Sequence, residues 1–542
     1  MSTLARYFHT VRYLRPIQVV GRVRHMLVRP RADLRPPPAV RQLTGRYIEP
    51  ITAQPSLVAP DRFRFLNVER DCPGGDWNPQ DAARLWTYNL HYFDDLNAVH
   101  ASARKAWHEG LLRRWVVENP PGSGPGWEPY PVSRRIVNWI KWAWAGNVLS
   151  PECQASLAVQ ARWLTGKLEY HILGNHLFAN AKALVYAGVY FAGEESESWY
   201  SRGMGIATRE LQEQVLPDGG QFERSTMYHA AALEDLLDLI NVLQTCERNV
   251  PATWRSTADR MHRWLRAMTH PDGQIAMFND AAFDIAPTVV ELGQYAARLG
   301  LPVAQDAVEP LVVLSDSGYV SARCGTACLI CDCAPVGPDY LPGHAHADTL
   351  SFELSLGEHR VLVNSGTSEY GTGGERLRQR GTAAHNTVVI DRQDSSEVWG
   401  GFRVARRARA RLIGATQGHD LVSVEASHDG YRRLPGRNVH LRRWKLEAGS
   451  LTIEDQIEGT FHTAEAWFHL APEIEIQHTD AAGLSLRWCD GGSARFSCTG
   501  ASVRVVDDTW HPRFGVSVAT RAIVAVFSGA GMTARLCWES GG

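Results

Sequence analysis

The sequence predicts an α+β protein of more than one domain, with helical hairpins in the first half and an antiparallel β-sandwich in the second. Three observations carry this. The chain has 542 residues, which at about 150 per domain suggests two to four domains with ample cores. From Asp81 to about Leu301 apolar residues recur at spacings of three and four, as in Leu177, Ala181, Leu184, Val185, Gly188 and in Leu233, Leu236, Leu237, Ile240. From Val312 the period changes to two, as in Leu350 to Leu356, Val361-Leu362-Val363 and Thr387 to Ile390. The later strands, Leu451 to Ile457 and Ala522 to Phe527, are separated by polar turns without helical spacers, which favours an antiparallel sandwich over a parallel sheet.

Taken in order, residues 1–47 form the first unit. Leu4, Tyr7, Val11, Leu14, Ile17, Val20, Val23 and Leu27 lie at helical spacing among arginines, predicting a basic amphipathic helix before the run Pro36-Pro37-Pro38. Such a helix packs as an entry helix or touches a membrane or partner. The arginines break any secretory apolar core, so a cytoplasmic location is expected, and no apolar run approaches 18 residues, so no transmembrane segment is expected. Residues 48–306 form the helical domain, broken at Pro120 to Gly126, at Pro217-Asp218-Gly219-Gly220 and at Pro271-Asp272-Gly273. Residues 307–542 form the sandwich. Cys324, Cys328, Cys331 and Cys333 invite a zinc reading, but their apolar context reads as a buried strand with small hydrophobic thiols. A balance of 56 basic against 58 acidic residues, net −2, argues against nucleic acid as a partner held by overall charge.

Three segments carry more polar residues than their context requires, each at an element end. Gly174-Asn175-His176 opens an apolar helix, where a helix cap is the plainer reading. Glu223-Arg224-Ser225-Thr226-Met227-Tyr228-His229 follows a turn and feeds another helix. His344-Ala345-His346-Ala347-Asp348 places two imidazoles and a carboxylate at period two before a strand. Downstream, Asn364 follows one strand and His385 precedes another, so His346 and His385 could meet across strands, and two histidines with an oxygen ligand suit zinc.

These segments, in this order and together with Ala384-His385-Asn386-Thr387, resemble the heparinase II/III family of polysaccharide lyases, which includes heparinase and oligoalginate lyases. Trp86 to Phe93 and Trp127-Glu128-Pro129-Tyr130-Pro131 are also similar to stretches in members encoded with surface-polysaccharide genes. The resemblance implies an α/α toroid, an incomplete barrel of helical hairpins, followed by the sandwich. It implies β-elimination on an acidic polysaccharide or oligosaccharide containing uronic acid. Such a site must neutralise the uronate carboxylate, take the C5 proton and protonate the leaving C4 oxygen.

Carried onto this chain, Asn175 with His176 would clamp the carboxylate, Tyr228 would protonate the leaving oxygen, and His344 or Tyr228 would take the C5 proton according to the epimer. Cations among Arg224, Arg376, Arg378 and Arg380 are expected to lower the Tyr228 pKa and to bind the anionic chain. Trp86, Trp127 and Trp399, at element ends, are candidate sugar platforms, whereas Trp139, Trp142 and Trp144 read as core. Tyr88 and Glu223 complete the candidates for substrate contact. The resemblance also implies one structural zinc on His346, His385 and Asn364; the family has an aspartate where this chain has Asn364, a poorer ligand. A glycoside hydrolase using two of Glu128, Asp218, Glu223 and Asp280, or a non-catalytic carbohydrate-binding or assembly protein of surface-polysaccharide biosynthesis, are the competing readings.

Overall fold

A computed structural model describes residues 3–28, 31–304, 309–480, 483–489 and 491–539. The junction expected at 306/307 lies outside the described residues. At the N-terminus two helices, α1 (Thr3–Val11) and α2 (Pro16–Leu27), replace the single one expected. Pro16 lacks an N–H and forces Arg15 into extended backbone (φ −73°, ψ 147°), which ends one helix and starts the next. A three-stranded antiparallel sheet over 57–71, which the periodicity did not reveal, then sets Phe65 against Trp86 of α3 (Arg84–Leu90).

Eight longer helices follow: α4 (Lys105–Glu118), α5 (Pro129–Trp144), α6 (Pro151–Gly166), α7 (Gly174–Tyr190), α8 (Glu194–Gln214), α9 (Thr226–Thr245), α10 (Ala252–Ala267) and α11 (Val289–Arg298). Their starts have local causes. Pro129 and Pro151 occupy first helical turns, where no N–H is missed, and Thr288 with Glu291 forms a capping box. The helices pack successively as an α/α toroid, α5 on α6 and α7, α7 on α8 and α9, α9 on α10 and α11. Leu177, Ala181, Leu184, Val185 and Gly188 of α7 are all buried, as their spacing requires. Gly188 permits the α7–α8 approach, because a Cβ there would lie 2.4 Å from the Tyr200 backbone nitrogen.

In the second half the strands pair antiparallel, with one isolated parallel bridge between Gly366 and His511. Five strands from Leu311–Leu314 to His359–Leu362 form a meander, and sheets of eight and four strands complete the sandwich. The strand Val439–Glu447 alternates, burying His440, Arg442, Trp444 and Leu446. Cys328 and Cys331 are buried in the strand Ala327–Asp332, with Cys333 buried after it. Tyr319, Cys328 and Ile330 of the meander share one apolar cluster with Trp264 and Phe278 of the helical half. The two halves are therefore joined by a common core, and the polar segments meet beside that junction.

Candidate active site

Four non-glycine residues in or beside the segments that build the site adopt left-handed backbone: Leu173 (φ 70°), Arg224 (φ 60°), Asn279 (φ 59°) and Leu350 (φ 63°). Each conformation costs about 1–3 kcal/mol and persists only where the surroundings enforce it, a pattern typical of functional sites. The enforcing contacts are visible. Tyr319 Oη and Asn279 Nδ2 both donate to the Arg224 carbonyl, at 2.7 and 2.9 Å. Arg442 Nη1 donates to the Leu350 and Asn386 carbonyls, at 2.9 and 2.5 Å, while Asp455 holds its guanidinium.

The centre is Asp280, fully buried between α10 and α11. Its Oδ2 accepts from His344 Nδ1 and its Oδ1 from His346 Nε2, both at 2.8 Å. Arg376, from the short helix α12 (Gly374–Arg380), grips both oxygens. Burial alone would raise the Asp280 carboxyl pKa, but the Arg376 charge and the two imidazole hydrogen bonds outweigh it and hold the pKa well below the usual range. One carboxylate thus fixes opposite tautomers two residues apart. His344 keeps its lone pair on Nε2, which lies 3.7 Å from Glu223, whereas His346 keeps its lone pair on Nδ1.

The facing helical wall supplies the other groups. Ser225 caps α9 through the Tyr228 N–H at 3.2 Å, placing Tyr228 in the first turn. Its ring lies 4.0 Å from the His344 ring, and its hydroxyl is 2.9 Å from that of Tyr370. Burial first, then Tyr370 and Asp280, push the Tyr228 pKa well above 10, so the expected lowering by nearby cations does not occur. The cations are engaged elsewhere: Arg376 on Asp280, Arg378 on Glu375, Arg224 on the Ser317 and Phe222 carbonyls, and Arg380 on those of Ala345 and Gly401.

Asn175 and His176 occupy the first turn of α7, both half-buried. His176 Nδ1 is 3.0 Å from Glu169, which Asn180 also holds, and its ring lies 4.6 Å from that of Tyr130. Burial disfavours the imidazolium, yet Glu169, with help from Glu223, wins and the pKa is raised. Glu223 is itself raised by burial, against the pull of His344, Gln221, His176 and the Asn175 backbone. Gly174 allows this closeness, since a Cβ there would meet Leu341 at 2.3 Å and Glu223 at 3.2 Å.

Beneath His344 the expected metal triad is changed. His346 and His385 do meet, with ring centroids 5.2 Å apart, and His346 Nδ1 and His385 Nε2 are buried without hydrogen-bond partners among the described residues. Asn364 Oδ1, however, accepts from Ser351 at 2.5 Å and lies 3.4 Å from His385 Nδ1, so it orients the ring. The carboxylate in reach is Asp348: one ligand atom from each of His346, Asp348 and His385 lies within 4.8 Å of the others. Two lone pairs and a carboxylate fit a divalent cation such as zinc better than the set containing Asn364.

The proposed substrate contacts fare unevenly. Glu223 lies in the site. Trp127 is core, packed on Trp115 and Trp163 and donating to the Asn119 carbonyl, and Trp86 donates to that of Val68. Trp399 packs on Tyr7 and Thr10 of α1. Tyr88 is bound by Glu128, and Arg224 and Arg380 are buried braces. An exposed aromatic that does lie beside the site is Phe402, 43% exposed, with its ring 6.1 Å from that of His344. Asp280 as organiser, Tyr370 and Glu169 escaped the sequence reading; no local pattern marks their partners.

The family described as Heparinase II/III N-terminus matches residues 76–297, and Heparinase II/III-like, C-terminal matches residues 306–539. A heparin-sulfate lyase of Pedobacter heparinus is 25% identical over 378 residues, 61% of this chain and 56% of that protein. The chain thus spans little more than half the length of that curated relative. Among solved structures, Heparinase III superposes with a TM-score of 0.71 at 18% identity, covering 86% of this chain and 80% of that one. Chondroitin AC lyase of Streptomyces coelicolor A3 superposes at 0.53 with 10% identity, covering 98% and 79%. These superpositions share the toroid and sandwich. With its helical part and its sheet part each matched by a model of that family, the chain belongs to the heparinase II/III family.

Proposed function

We propose that the protein is a polysaccharide lyase that cleaves a uronic-acid-containing acidic glycan by β-elimination. The observation that carries this reading is the Asp280-oriented His344, with its Nε2 lone pair directed away from Asp280 and its ring centroid 4.0 Å from that of Tyr228. A proton acceptor and a proton donor side by side are what syn removal of the C5 proton and expulsion of the C4 oxygen require. His344 Nε2 takes the C5 proton, the C4–O bond breaks as the C4=C5 bond forms, and the Tyr228 phenol protonates the departing oxygen. The raised Tyr228 pKa keeps that proton in place until it is needed. His176, biased toward its cationic form by Glu169, and the Asn175 amide offset the uronate carboxylate and the enolate-like charge that develops on it. Glu223, biased toward its neutral form, tolerates a second carboxylate beside it.

His346, His385 and Asp348 would hold the structural cation, which when bound ties the His344 loop to the segment bearing His385. The relative named above as a heparin-sulfate lyase supports the lyase class. The hydrolase reading is disfavoured by its own candidates: Asp280 is clamped by Arg376, Glu128 by Arg84 and Tyr88, and Asp218 by Ser317. Incubation with a panel of uronate glycans tests the proposal. Ultraviolet absorbance from the unsaturated product should rise with at least one glycan. New reducing ends without absorbance would indicate hydrolysis, and retention without cleavage a binding protein.

A further inference from the structure

We propose that the α1–α2 pair docks this protein on the surface of an anionic lipid bilayer. One side of the pair is already occupied. Gln18, the buried residue of α2, donates to the Tyr340 and Ile172 carbonyls at 3.2 and 3.5 Å. The Arg15 guanidinium lies 3.7 Å from the Tyr340 ring and pairs with Glu213, and Tyr7 packs on Trp399. These contacts reach both halves of the molecule, so the pair is a fixed element whose other side is available.

That other side is apolar at helical spacing. On α1, Leu4 is 81% and Phe8 64% exposed, with Val11 continuing the stripe; on α2, Val20 is 66% and Leu27 76% exposed, with Val23 between them. Two adjoining helices with large apolar side chains left in water mark an interaction surface. The charge identifies its partner. Residues 3–32 contain no aspartate or glutamate, and Arg6, Arg12, Arg22 and Arg24 are exposed among the apolar side chains. Apolar residues that enter the acyl boundary, flanked by cations that meet phosphate headgroups, are the composition of a helix lying in a membrane interface. At the end of α2 a small cleft is lined by Arg24, His25, Lys167 and Arg202 with no carboxylate among its lining residues, which suits a phosphate headgroup. A second copy of this chain would bring the same arginines face to face and is disfavoured by repulsion.

The test is sedimentation of the full-length protein with vesicles of phosphatidylcholine alone and of phosphatidylcholine mixed with phosphatidylglycerol. Binding is expected to the mixed vesicles only, and to weaken as salt is raised. Phe8→Ser combined with Val20→Ser should weaken partitioning by about tenfold or more, since each side chain loses a favourable burial. Arg22→Gln combined with Arg24→Gln should weaken it roughly thirtyfold. All four residues are exposed, so unchanged thermal melting is the control that these variants remain folded. No binding to either vesicle, equal binding to both, or binding that folded variants retain would overturn the proposal. A concentration-dependent dimer abolished by Phe8→Ser, without vesicle binding, would assign the surface to a second copy instead.

Discussion

The helical and sheet walls of the candidate site are built on different plans. On the helical wall Asn175, His176 and Tyr228 stand in the first turns of α7 and α9, where a cap or a turn decides their position. On the sheet wall His344, His346 and His385 lie outside the strands, and their places depend on side chains arriving from elsewhere: Asp280, Arg380 and Arg442. A helix start is a local decision, so its chemistry is separable from its stability. A loop held by buried charges has no such separation, because the group that orients the reacting ring also keeps the wall folded.

The strongest challenge to that contrast is Tyr228→Phe. Removing the proton donor should lower kcat by about 10²–10⁴-fold, while the lost hydroxyl contact with Tyr370 changes stability by only about 1 kcal/mol. Initial rates with a glycan cleaved by the parent protein, set beside thermal melting, measure both; a variant at full rate would remove Tyr228 as the acid. Asp280→Asn should damage both properties. The base loses its orienting anion, with kcat down about a hundredfold or more, and the buried Arg376 loses its partner, costing about 3–5 kcal/mol in denaturant unfolding. Unchanged stability would erase the distinction between the walls.

The same carboxylate predicts an acid limb. Its folded pKa is depressed, so its contribution to stability is complete above the unfolded carboxyl pKa of about 4 and is lost as pH falls toward the folded value. Urea midpoints measured across this range in the parent and in Asp280→Asn should converge at the acid end.

Glu169→Gln acts more gently. His176 is raised by Glu169 against burial, so its positive charge, and with it the hold on the uronate, is present at low pH and lost as pH rises through the raised pKa. Without Glu169 burial prevails, and the alkaline fall in 1/KM should move to lower pH with little change in kcat at its optimum. An unmoved limb would separate His176 from carboxylate binding. Phe402→Ala should have the smallest effect, raising KM about fivefold through about 1 kcal/mol of lost contact between its exposed ring and the glycan, with kcat nearly constant.

The two halves were legible because periodicity is a local property that tertiary packing reinforces, as along α7 and along Val439–Glu447. The motif residues were legible for a related reason: each occurs in a short run. What escaped was set by contacts distant in sequence. Asp280 read as one loose carboxylate among four, and nothing in its neighbourhood announces two imidazoles and Arg376. Tyr370 meets Tyr228 only through the docking of the halves. The errors have one cause as well. Trp127 and Arg380 look available at element ends, but an indole N–H or a guanidinium is spent readily on a backbone carbonyl, and a sequence does not show which carbonyl is near.

Asp280 also bears on inheritance. It belongs to the helical half, whereas both imidazoles that it orients come with the sheet half. Neither half carries an oriented base of its own, so exchange of one half for that of a distant relative transmits the reaction only when carboxylate and histidines arrive in matching register. The seam between the halves must therefore be inherited as one piece.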